Sequence, residues 1–166
     1  KAVTHRVNPI MQTCIGPSEE HVSMAGIPTE ASILDMVERA MPGRVQNVYA
    51  HSSGGGKFTA VIQFKKTVPS DEGRQRQAAL LAFSAFPELK QVILVDEDVD
   101  IFDTNDVLWA MTTRMQADVD IVTIPGVRCH PLDPSNDPAC SWSIRDHGIA
   151  CKTIYDATIP FNQKAR

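Results

Sequence analysis

Apolar and polar positions fall into blocks that predict a mixed domain of helices and strands. Ile33, Leu34, Val37 and Met41 recur at helical spacing, so Glu30 to Met41 is expected to be a helix stopped by Pro42-Gly43. Val45 to Ala50 and Lys57 to Lys66 read as strands, the second placing Phe58, Ala60, Ile62 and Phe64 on one face. Ser70-Asp71-Glu72 would cap and charge a helix running to Phe86, because side-chain oxygens satisfy orphan amides and acids complement the dipole. Val92 to Val95 is a continuous apolar run, the pattern of a strand covered on both faces. Thr104 to Met115 then reads as helix and Val119 to Ile124 as strand. An extended segment over residues 6–15, anchored by Val7, Ile10, Met11 and Ile15, would precede them all.

The order is therefore β-α-β-β-α-β-α-β, beginning like the split βαβ unit of ferredoxin-like folds. The expected architecture is an α+β (α/β-like) two-layer sandwich with a mixed sheet. From Pro125 to Gly148 periodicity is lost among Pro, Asp, Cys and Ser, which predicts a long irregular loop near the C-terminus. At 166 residues and 43% hydrophobic, residues 1–166 suit a single compact domain. The ends, Lys1 and Arg166, read as interior chain, so a fragment of a larger protein is expected.

Composition narrows the partners. A net charge of −4 with scattered basic residues argues against a nucleic-acid surface. No apolar run approaches the roughly 20 residues of a membrane span, and no signal peptide is seen, so a cytoplasmic protein without a membrane partner is expected. Cys14, Cys129, Cys140 and Cys151 lack Cys-x-x-Cys spacing and read as free thiols.

The candidate chemistry begins where the Val92–Val95 run stops. Asp96, Glu97, Asp98, Asp100 and Asp103 follow at once, at the carboxyl end of a central strand, where α/β sheets often bind ligands. As a calcium loop the segment fails, with Ile101 at the sixth position and Val107 at the twelfth. A metal-dependent Asp-x-Asp phosphatase or transferase remains open, with Asp96 as nucleophile and Asp98 as acid. The bland alternative is favoured: Asp103 or Thr104 caps the helix and the other acids pair with basic residues or face solvent. Gly54-Gly-Gly-Lys57 leads into a strand rather than a helix, so it reads as a hairpin turn and not a phosphate cradle. Cys129, His130, Cys140, His147 and Cys151 match no familiar zinc spacing. His147, beside charges and before Gly148, could touch a substrate, and Lys152 could hold an anion.

Several segments together resemble one family. Thr4-His-Arg-Val-Asn-Pro-Ile10, Gly26-Ile-Pro-Thr-Glu30 and Leu94-Val-Asp-Glu-Asp-Val-Asp100 running into Asn105-Asp-Val-Leu-Trp-Ala-Met111 are similar to the carboxyl-terminal part of UbiD-type decarboxylases. Pro131-Leu-Asp-Pro-Ser135 and Asp156-Ala-Thr158 extend the match, and Ile144 to Tyr155 looks most like members acting on hydroxybenzoates such as gallate or protocatechuate. The resemblance implies a lyase parent that decarboxylates aromatic acids non-oxidatively with prenylated FMN, Mn2+ and K+. It places those sites, and the acidic Glu-Gly-Pro-Phe-Gly motif of the catalytic set, ahead of this chain, so no catalytic residue and no cofactor is expected within it. It further implies a domain that supports homo-oligomerisation and closes the cleft against the rest of the decarboxylase, inactive alone. His147 would then be a substrate-binding residue and Lys152 a cofactor-binding one. A stand-alone oligomerisation or interaction module is the alternative of another class.

Overall fold

The structure is a computed structural model that describes residues 2, 4–10, 18–131, 133–136 and 148–164. Its centre is a five-stranded sheet in the order β1-β2-β3-β5-β4, formed by β1 (Val45–Ala50), β2 (Thr59–Phe64), β3 (Gln91–Val95), β4 (Ile121–Arg128) and β5 (Ile149–Ala157). The three central strands run parallel, and β1 and β4 lie antiparallel at the edges. The helices are α1 (Glu19–Ala40), α2 (Arg74–Ala85), α3 (Thr104–Arg114) and the single turn α4 (Ala117–Asp120).

Strand alternation sends side chains to two separate cores, because successive residues point to opposite faces. Ala60, Ile62, Phe64, Val92, Leu94 and Ile154 meet Ile33 and Val37 of α1 and Ala78, Ala79 and Ala82 of α2. On the reverse face Val61, Val95 and Ala157 meet Val107 and Ala110 of α3, with Val99 and Ile101 from the β3–α3 connection. Helices therefore cover both faces, and the expected two-layer sandwich is corrected to three layers. Each fully buried Leu or Ile here contributes roughly 1.5–3 kcal/mol.

The expected strand over residues 6–15 is also corrected as far as it can be followed. Residues 4–10 form no strand, with Val7 and Ile10 exposed, and residues 11–15 lie outside the described residues. Without that strand the ferredoxin-like start disappears, and β2-α2-β3 becomes a parallel crossover between neighbours. The element order accordingly differs from expectation, and it closes with β5, read from sequence only as an apolar stretch.

Helix α1 begins eleven residues before the expected Glu30. Ser18 caps it by accepting the His21 amide. Gly26 and Pro28 look like breakers in sequence, but Pro28 faces solvent, where its missing N–H costs least. Gly26 is buried against the β1–β2 loop instead. There Gly56, at φ +71°, approaches so closely that a Cβ would lie 2.5 Å from the Val22 carbonyl. At α2 the expected cap is displaced. Residues Pro69–Asp71 form a separate 3-10 turn and Gly73 precedes the helix, because Asp71 is drawn into the strand ends.

Candidate functional site

Charged side chains concentrate at the carboxyl ends of β2, β3 and β5. Asp96, buried just past β3, accepts the Ile159 amide at 2.6 Å and lies 3.4 Å from Arg114. Its other oxygen is 2.6 Å from Lys164 Nζ, a contact of charges outside directed hydrogen-bond geometry. Asp98 takes Arg114 in a two-pronged pair, at 3.0 and 2.6 Å. Hydrogen bonding from Arg114 holds the Asp98 carboxyl below the usual carboxylate range, and the same bond raises Arg114. Asp100 accepts the Phe102 amide, and Asp103 caps α3 through the Asn105 amide at 2.9 Å. Glu97 lies 3.5 Å from Lys164. Asp103 thus caps the helix, Asp96, Glu97 and Asp98 meet basic partners, and Asp100 stays exposed on a local turn, as the bland reading expected.

The same edge holds partners that sequence reasoning did not single out. Lys66, buried, donates to Glu72 at 2.8 Å and to the Ile159 carbonyl at 3.1 Å. Glu72 also accepts the Phe161 amide at 2.7 Å, so residues 159–164 are strapped across the strand ends. Buried Asp156 accepts from Arg76 at 2.7 Å, Gln75 at 3.0 Å and the Thr158 hydroxyl at 2.6 Å. Burial alone would push the Asp71 carboxyl up, but the Thr67 and Val68 amides and the Arg44 charge hold it below its ordinary range. Glu72 behaves likewise, its burial outweighed by Lys66 and the Phe161 amide. The available signal was a charge interrupting an apolar strand, as Lys152 and Asp156 do in β5.

Lys152 is 4% exposed and points into the α2 core. Its ammonium donates to the Pro87 and Leu89 carbonyls at 2.7 and 2.6 Å and sits 5.0 Å from the centre of the Phe83 ring. Burial lowers its pKa. The side chain pins the α2–β3 turn to β5. His147 lies outside the described residues, as do Cys14 and Cys140. Cys129 is buried and its thiol faces the Glu88 carbonyl at 3.7 Å, while Cys151 is exposed; both are free.

The root of the 137–147 segment is anchored on both sides. Lys90 donates to Asp133 at 2.7 Å and to the Ser135 hydroxyl, and Asp133 accepts the Ser135 amide at 3.0 Å. On the other side the Cys129 amide donates to the Gly148 carbonyl at 2.7 Å. Burial works against the Asp133 carboxylate, yet Lys90 and Ser135 keep its pKa low.

Among the described residues no group of three His, Cys, Asp or Glu side chains could hold a metal. At the acidic strand end Asp96, Glu97 and Asp98 already share the cations Arg114 and Lys164. The glycine loop is a hairpin turn packed on α1, with no helix behind it to face a phosphate. No described helix is long and apolar enough to cross a membrane.

Comparison with known proteins agrees with this arrangement. The family model for the 3-octaprenyl-4-hydroxybenzoate carboxy-lyase C-terminal domain matches residues 22–157. A gallate decarboxylase of Lactiplantibacillus plantarum is 63% identical over 98% of this chain and 34% of its own length. The apo 3,4-dihydroxybenzoic acid decarboxylase of Klebsiella pneumoniae superposes with a TM-score of 0.90 at 63% identity, covering 96% of this chain and 33% of that one. An evolved dimeric form of a UbiD-class enzyme from Pelotomaculum thermopropionicum, in complex with prFMN, gives a TM-score of 0.73 at 31% identity, over 96% of this chain and 31% of that one. The chain spans about a third of the length of the curated relatives it matches.

Proposed function

The chain belongs to the UbiD carboxy-lyase family, as its C-terminal domain, and from that premise we propose that it serves a non-oxidative decarboxylase of hydroxybenzoate-type aromatic acids. The observation that carries this reading is the 63% identity to a gallate decarboxylase across 98% of the chain. In this role the domain closes the cleft against the remainder of the enzyme, which holds prenylated FMN and its metal ions. It has no catalytic residue of its own and is inactive alone.

His147 is the proposed substrate contact, on a segment whose root is fixed by Lys90, Asp133 and Gly148. Lys152 is the proposed cofactor-binding residue, with its ammonium held in place by the Pro87 and Leu89 carbonyls. Homo-oligomerisation is supported by α1, where Met24, Ile27 and Leu34 leave an apolar stripe exposed on the face opposite Ile33 and Val37.

The test is CO2 release from 3,4-dihydroxybenzoate and gallate by the whole gene product loaded with prenylated FMN. Turnover is expected, and His147→Ala should lower kcat/KM by more than about tenfold, the scale of one lost polar contact. A whole enzyme that releases CO2 from no hydroxybenzoate would sink the reading.

A further inference from the structure

The opposite end of the sheet holds a different kind of space. At the amino ends of β2 and β3, between the sheet and α3, lies a cavity of about 280 Å³. Its walls are Ile93, Val107, Leu108, Met111 and the body of Tyr155. Polar groups stand at its rim, chiefly His51, Thr104 and Gln91, yet no Lys, Arg, Asp or Glu lines it among the described residues.

We propose that this cavity binds one neutral phenolic ring, of the kind left when a hydroxybenzoate loses its carboxylate, and rejects the carboxylate itself. Its product character rests on the decarboxylase reading above; the preference for a neutral ring does not. Size sets the first limit. Small-molecule pockets usually span roughly 300–1,000 Å³, so this one has room for a single ring.

Charge sets the second. An anion placed here would lose water and gain no cation, a transfer that apolar surroundings penalise heavily. His51 cannot supply the charge. The Ser53 amide donates to its Nδ1 at 3.1 Å, so the ring proton sits on Nε2 and is directed at the Thr104 hydroxyl, 2.9 Å away. Burial lowers the His51 pKa, in keeping with that neutral ring.

Hydrogen bonding sets the third. Gln91 Oε1 accepts weakly from the Thr59 hydroxyl at 3.4 Å, and its NH2 has no partner among the described residues. The Tyr155 hydroxyl likewise has none among the described residues. A phenol can accept from the amide and exchange a bond with the tyrosine, while the Met111 thioether meets its ring.

The experiment titrates this chain with catechol and with 3,4-dihydroxybenzoate, followed by amide and methyl NMR. Catechol should give saturable shifts at the Gln91 carboxamide and the Ile93 and Met111 methyls, and the carboxylate should bind at least tenfold more weakly. Gln91→Leu should weaken catechol by up to about tenfold, the scale of one hydrogen bond, with the backbone spectrum otherwise kept. Met111→Trp, which fills the space, should abolish the shifts. Equal or tighter binding of the carboxylate overturns the proposal. So do shifts that never saturate, or that survive Met111→Trp. Catechol binding alongside a whole enzyme that releases no CO2 would remove the product role and keep the site; the reverse pairing would remove the site alone.

Discussion

The two ends of the sheet are built from opposite materials. At the carboxyl ends, Asp96, Arg114, Lys66, Glu72 and Asp156 form a nearly continuous set of buried or half-buried charges that strap residues 159–164 to the strands. At the amino ends, neutral groups surround a cavity, and Lys90, next to Gln91 in the chain, is paired with Asp133. α/β sheets commonly place ligands at the carboxyl ends. Here that end is lined by the protein's own ions, so its space of about 240 Å³ is walled by Asp96, Glu97, Asp98 and Lys164, while the 280 Å³ at the other end has no charged wall among the described residues. A cluster of acids marks a binding site only when no cation from the chain already occupies it.

The sharpest way to break this contrast is to remove the acid at its centre. Asp96→Ala leaves the Ile159 amide without its acceptor and takes from Arg114 and Lys164 the buried acid they share, so it should cost about 3 kcal/mol, read as a lower urea midpoint. A loss below about 1 kcal/mol would mean the strap holds without its anchor.

At the opposite end, Gly56→Ala forces a Cβ against the α1 backbone at positive φ and should cost about 2 kcal/mol in the same measurement. An unchanged midpoint would show that the loop can move off the helix.

Arg114→Lys keeps the charge but loses the two-pronged pair with Asp98, so a smaller loss of about 1 kcal/mol is expected. Full rescue by lysine would reduce that pair to simple charge neutralisation.

Acid separates the two ends most finely. Asp71, Glu72 and Asp98 have lowered pKa values, so the unfolded chain takes up their protons first. Their stabilisation is complete above the ordinary carboxylate range near 4 and is lost as pH falls through the lower folded values. His51 is also lowered, so its neutral form belongs to the fold. Its contribution is complete above about 6.5 and declines as pH falls from there. Hydrogen exchange followed from pH 7 to 3 should therefore show the Ser53 amide losing protection before those of Ile159 and Phe161. The opposite sequence of events would contradict the assignment of neutral and charged ends.

Much of this arrangement was legible in the chain. The apolar run of β3, the alternation of β2 and the Asp103 cap of α3 are local patterns with short-range causes, and they appear where expected. The acids of the β3–α3 connection were rightly expected to cap and pair, although Arg114 is the only partner close enough in sequence to guess. What stayed hidden depends on distant neighbours. α1 runs through Gly26 and Pro28 because the Gly56 loop packs against it, and no helical propensity contains that contact. Lys152 was read as an anion holder because a lysine is usually wet; the fold turned it inward onto two carbonyls.

By itself, then, the sequence determined β1, β2, β3, α3 and the family, since each of these is written in local spacing and residue type. Tertiary structure alone decided that helices cover both faces, that Asp71, Asp96 and Asp156 lie buried with cationic partners, and that the space at the amino ends has no charged wall among the described residues. Those outcomes rest on which strands become neighbours. The β1-β2-β3-β5-β4 order brings together residues as far apart as Lys66 and Ile159, and only a folded sheet can set their distance.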